Sequence, residues 1–130
     1  MIFSFNNLQK TVLPGVFFLT AVACSGPKNI DNFDSEAWKS DPHGCNGVRE
    51  EIWQKFSEDT SPIMGYKEND LKSLLGKADN SHLMERGQKM YYYHISGSPA
   101  CKQATASELK QVQIRVNALG RVSEVLYLEK

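Results

Sequence analysis

Residues 109–128 constrain the fold most. Val112, Ile114 and Val116 alternate there with Gln111, Gln113, Arg115 and Asn117. Successive side chains of a strand point to opposite faces, so the alternation predicts a strand with one buried side and one wet side. Asn117-Ala118-Leu119-Gly120 follows as a hairpin turn, with the glycine where a left-handed backbone is needed. The chain returns through residues 121–128. The inward set of this second strand is open: Val122, Leu126 and Leu128 compete with Val125 and Tyr127. A bulge just after the turn would reconcile the two sets. A lone hairpin is marginal in water, so the apolar face needs another strand and a cover.

Both are upstream. Lys-Met-Tyr-Tyr-Tyr-His-Ile at residues 89–95 is rich in aromatics and reads as a third strand. Tyr91, Tyr93 and Ile95 share one side; Met90, Tyr92 and His94 share the other. Tyr92, the outward tyrosine, is the candidate partner-contact residue, because tyrosine is enriched at interfaces. The cover comes from two helices. In residues 64–79, Leu71, Leu74 and Leu75 fall on one helical face, and Gly76 supplies the stop. So short a helix cannot stand alone and must dock. Val48, Ile52 and Phe56, with Trp53 beside them, mark an earlier amphipathic helix. Asn46 could cap it, or Asp41 with Pro42 at the first helical position. Residues 77–88 read as a polar turn and residues 96–108 as a loop. The predicted fold is α+β, with two helices packed on one face of a three-stranded antiparallel sheet in the order ααβββ.

The start of the chain reads differently. Residues 1–10 are a short polar lead with Lys10, and residues 11–23 an uncharged, mostly apolar run ending in small residues. That length suits a signal-peptide core and is too short for a membrane span. The run Leu19-Thr20-Ala21-Val22-Ala23-Cys24 resembles a bacterial lipobox, with Ala21 where leucine is usual. The expectation is a signal peptide over residues 1–23 and a lipid (palmitate) on Cys24. A tether over residues 24–37 follows, then the folded domain over residues 38–130. Phe33 stands alone among polar neighbours in the tether, as open to exposure as to docking. Residues 1–23 hold one lysine and no acid, so the mature chain has one basic residue fewer than the 15 that balance 15 acids, a net charge of −1. Such a balance gives no electrostatic footing for nucleic acid. With Cys24 modified, Cys45 and Cys101 are an even pair in an oxidising compartment, and a disulfide between them is expected.

The order of these features resembles the SmpA/OmlA (BamE-like) family of outer-membrane lipoproteins. Met64-Gly65 stands at the family's Gly-Met step in reverse order, and Leu71 at its valine. Leu75-Gly76 matches the Leu-Gly step, with Ala78 at the proline that follows. Tyr91 and Tyr93 take the aromatic pair, and Gly120-Arg121-Val122 the closing motif. Tyr66 replaces the family's capping threonine, and the paired cysteines and longer first helix are not general in it. The resemblance implies an outer-membrane protein held by lipid, its domain facing the periplasm. Its task would be binding or scaffolding in the assembly of β-barrel proteins, through a protein partner in an envelope complex. The same two-helix, three-strand unit occurs in a secreted β-lactamase inhibitor protein, so an inhibitor or sensor domain acting on a soluble enzyme is the alternative.

No catalytic set stands out, and the chain reads as a non-enzyme without a cofactor. His43, His82, His94, Asp41, Cys45 and Cys101 are the residues with chemistry to offer. His43, Cys45, His94 and Cys101 would make a metal site if they converged, but their spacing fits no usual zinc pattern. The expectation is therefore no metal, with a metal- or small-ligand-binding protein as the second alternative. Glu68 and Asp70 open the second helix, where acids favour its dipole.

Overall fold

A computed structural model describes residue 15, residues 30–102 and residues 108–129. Among those residues three α-helices and four strands follow one another: α1 (Ser35–Lys39), α2 (Val48–Phe56), α3 (Glu68–Leu75), β1 (Asn80–Leu83), β2 (Lys89–Ser96), β3 (Lys110–Val116) and β4 (Val122–Glu129). The strands form one antiparallel sheet in the order β1-β2-β3-β4. The fold is α+β, as expected, but with one more helix and one more strand than the expected two and three.

The extra strand lies in the stretch read as a polar turn. All four residues of β1 are exposed, so no hydrophobic alternation marks it. Its existence rests on backbone pairing, Asn80 opposite Tyr92 through Leu83 opposite Lys89. The extra helix lies in the expected tether. Asp34 caps α1 by accepting from the Ala37 N–H at 3.0 Å. Phe33 is buried against Trp38 and Phe56, with ring centroids 5.4 and 5.2 Å away. Ile30 packs against the same core. The domain therefore reaches back to Ile30, ahead of the boundary expected at Trp38.

The sheet's inner face is the predicted one. Tyr91, Tyr93 and Ile95 of β2 and Val112, Ile114 and Val116 of β3 are buried in one cluster with Leu71, Leu74 and Leu75. Burying each leucine side chain is worth about 1.5–3 kcal/mol, which explains how an eight-residue helix survives. The inward set of β4 is settled by a bulge. Arg115 faces Glu124 while Val116 faces Val122, so Ser123 is the extra residue. Val122, Val125 and Tyr127 consequently all turn inward, opposite Val116, Ile114 and Val112.

Tyr66 does not cap α3, and neither does the actual N-cap residue, Lys67. The hairpin does it instead: the Glu68 N–H donates to the Gly120 carbonyl at 2.9 Å. Next to that contact, the Gly65 N–H donates to the Val122 carbonyl and the Val122 N–H to the Tyr66 carbonyl, each at 2.8 Å. At the other end Gly76 takes φ +73°, and its carbonyl accepts from the Tyr93 hydroxyl at 3.0 Å.

Candidate functional site

β1 pairs only with the first half of β2, from Lys89 to Tyr92. Among the described residues, the outer backbone edge of His94 and Ile95 therefore has no strand beside it. A turn, Pro42–Gly44, takes that place. Gly44 presses so close that a Cβ on it would lie 2.2 Å from the Ile95 carbonyl oxygen, and its φ is +68°. Only glycine fits there. The turn is fastened by the Cys45–Cys101 disulfide, with Cα atoms 5.4 Å apart, so the expected bridge is present.

Asp41 opens this turn and is fully buried. Its carboxylate accepts from the backbone N–H groups of Asn46 at 2.9 Å, Val48 at 2.9 Å and Arg49 at 3.2 Å. It thus caps α2 from seven residues upstream while Gly47 occupies the N-cap position itself. Of the two expected alternatives, Asn46 is no cap; Asp41 supplies the carboxylate, but Pro42 begins the short turn and not the helix.

Arg49, Asp79, His43 and His94 meet at this edge. Arg49 is only 3% exposed and lies over the Trp38 ring, 4.9 Å from its centroid. Its Nε donates to the Trp38 carbonyl at 3.1 Å. Its Nη1 donates to Asp79 Oδ2 at 2.8 Å and to the His94 carbonyl at 3.2 Å. Asp79 Oδ2 also accepts from the His94 N–H at 2.7 Å. An arginine and an aspartate have replaced the missing strand, one donating to the open carbonyl and the other accepting from the open N–H.

The second oxygen of Asp79 faces His43. His43 Nδ1 is a buried atom 3.1 Å from Asp79 Oδ1, yet without the geometry of a hydrogen bond. His43 is held at φ +63°, unusual for any residue but glycine. The His94 ring lies 5.8 Å from that of His43, and its Nδ1 pairs with the buried Ser98 Oγ at 2.9 Å. Burial holds the His94 imidazole below its usual pKa, with the Asp79 carboxylate pulling the other way and the nearby His43 and Arg49 adding to the drop. One ring nitrogen from each histidine and one Asp79 oxygen lie within 4.8 Å of one another. His43 and Asp79 also line a cleft of about 430 Å³ shared with Lys39, Arg49, Gly76 and Lys77.

Of the residues singled out from sequence, His43 and His94 come together. Cys45 and Cys101 are close by but bonded to each other, so they are no ligands. His82 is exposed on β1 and stands apart from the cluster. Cys24 lies outside the described residues. Tyr92 is where it was expected, half-buried on the outer face between Asn80 and Gln113, with Leu126 next across the sheet. Met90 shares that face and is buried without joining the core cluster. Arg49 and Asp79 had drawn no attention, because neither lies in a recognisable motif.

A second polar cluster serves structure. Glu68 receives Lys89 Nζ at 3.0 Å, Lys72 Nζ at 3.3 Å and the Tyr91 hydroxyl. Those partners, Tyr91 foremost, hold the Glu68 carboxyl down at about 2, and Tyr91, mostly through burial, is pushed up to about 12.

Set against family models, curated proteins and solved structures, the chain matches none. No helix among the described residues is long and apolar enough to cross a membrane.

Proposed function

We propose that this chain is a lipid-anchored binding protein of the cell envelope that docks a protein partner on the outer face of its sheet. Assembly of outer-membrane β-barrel proteins is the process to which its resemblance to the SmpA/OmlA family assigns it. The observation that carries the reading is the outer face itself. In register across the strands it presents Asn80, Tyr92, Gln113 and Leu126 in one row, and His94, Gln111 and Leu128 in the next. The helices' buried apolar side chains all join the opposite, inner cluster. An apolar strip of Tyr92, Leu126 and Leu128, flanked by the Arg115–Glu124 ion pair at 3.2 Å, has the mixed make-up of a protein-binding surface. The disulfide supports an oxidising compartment. Membrane attachment through Cys24 would raise the local concentration of a weakly binding partner.

A photo-crosslinking residue at position 92, expressed in native envelopes, tests the docking face. The expected adduct is with a component of the outer-membrane assembly machinery, and the same probe at Leu119, 87% exposed at the hairpin tip, gives none. Capture of a soluble enzyme instead would favour the inhibitor reading, and equal labelling from both positions would remove the outer face as the docking surface. Cys24→Ser should abolish palmitate incorporation and release the protein from the membrane fraction.

A further inference from the structure

We propose that His43, Asp79 and His94 form a three-ligand site for a divalent first-row transition-metal ion of the zinc class. Two imidazole nitrogens and one carboxylate oxygen are a donor set that suits zinc and its neighbours and not magnesium or calcium. Three protein ligands leave a position open for water or an anion, as in zinc sites that retain an exchangeable ligand.

Four observations converge. The three ligand atoms already lie within 4.8 Å of one another. His43 Nδ1 and Asp79 Oδ1, at 3.1 Å, are close to the roughly 3.3 Å that two ligands on one tetrahedral centre with ~2.0 Å bonds require. His43 Nδ1 is buried beside a carboxylate with no hydrogen bond to justify the approach, and a shared cation would satisfy both atoms. The left-handed backbone that aims His43 at this point is strained, a strain that functional sites commonly hold. Around them the support is rigid. Arg49 and the His94 N–H hold the other Asp79 oxygen, Ser98 pairs with the His94 ring, and the disulfide fastens the turn that bears His43. Outer partners of this kind orient metal ligands. Arg49 is also a positive charge 2.8 Å from the ligating carboxylate, and Lys39 and Lys77 line the cleft. Those cations weaken the site for a bare dication and favour an anionic fourth ligand, hydroxide or chloride, facing the cleft.

The test is titration of the untagged full chain, disulfide intact, with zinc chloride at pH 7.5. It carries Cys24→Ser so that no free thiol competes. One equivalent should bind and raise the unfolding midpoint, while magnesium and calcium at the same concentration leave it unchanged. His43→Asn, in which asparagine tolerates the positive φ, should weaken zinc at least tenfold. His82→Asn should bind as the parent does. In the parent chain, zinc should shift the ring resonances of His43 and His94 and spare those of His82, a reading that requires no variant to fold. Acidification should release the metal, as protons compete for its ligands. Absence of saturable binding, or binding that His43→Asn leaves intact, overturns the site.

Discussion

Replacing Arg49 by methionine should destabilise the domain by about 3–5 kcal/mol, the usual cost of leaving one partner of a buried ion pair alone. The size follows from what the guanidinium touches. Arg49 and Asp79 have side chains only 3% and 5% exposed. Methionine keeps the packing on Trp38 but removes the donors to the Trp38 and His94 carbonyls and the countercharge to Asp79. Asp79 would keep the His94 N–H, which offsets part of the lost countercharge. For a domain whose total stability is about 5–15 kcal/mol, the loss is a large fraction. The assay is urea unfolding at pH 7, oxidised, for Arg49→Met, Asp79→Asn and the double variant, with unchanged m-values as the condition for comparison. Because each single change strands the other's charge, the double variant should lose about 2 kcal/mol less than the two singles summed. A loss for Arg49→Met below about 1 kcal/mol, or additivity within about 0.5 kcal/mol, would refute the idea that this pair replaces a strand at the edge of β2.

Changing Cys45 and Cys101 together to alanine removes a bridge spanning 56 positions, and chain entropy puts the loss at about 4 kcal/mol; equal stability of the oxidised parent and the variant in urea would contradict this. Amide exchange at His94 and Ile95 should quicken in the same variant, since the turn beside them is freed. Gly44→Ala should cost on the order of 3 kcal/mol, because the new Cβ meets the Ile95 carbonyl and the backbone must keep a positive φ; a melting temperature within about 3 °C of the parent's would show the turn sits elsewhere. Glu68, held at about 2 from an ordinary 4.5, contributes stability that is present above about pH 4.5 and drains away as pH falls toward 2. Glu68→Gln should flatten that acid limb and cost about 1–2 kcal/mol at pH 7, discounted because Lys72 and Lys89 are half exposed; an unchanged limb in pH-dependent thermal melts would dismiss the carboxylate's role.

The parts of the fold that bury a periodic face were legible from the amino acids alone. Val112, Ile114 and Val116, the leucines of α3 and the α2 helix announce themselves by spacing, and so does the need for a bulge after the hairpin. What escaped is held by backbone groups or by single side chains reaching across the chain. β1 is polar and exposed, and it exists because β2 offers an edge. α1 was hidden in polar surroundings because its anchors, Phe33 and Trp38, are five residues apart and show no repeat. The His43–Asp79–His94 cluster gathers residues 36 and 15 positions apart along the chain. No local pattern encodes such a meeting; it follows only from the half-length pairing of β1. With Tyr66 in place of a capping threonine, α3 needed another cap, and the Gly120 carbonyl that supplies it belongs to a turn more than fifty residues away.

The early start of the folded domain shortens its leash. With Ile30 and Phe33 seated in the core, a lipid on Cys24, as proposed, would stand six residues from the domain, not the fourteen of the expected tether. At roughly 3.5 Å per extended residue, that is a reach of about 20 Å, against about 50 Å. If the proposed lipid anchor holds, the domain works close against the bilayer, and its partner must present its own contact surface at that height. Lengthening the span between residues 24 and 30 with flexible residues would then loosen a spatial restriction rather than a chemical one. It should reduce crosslinking from position 92 step by step while leaving the domain's melting temperature where it was.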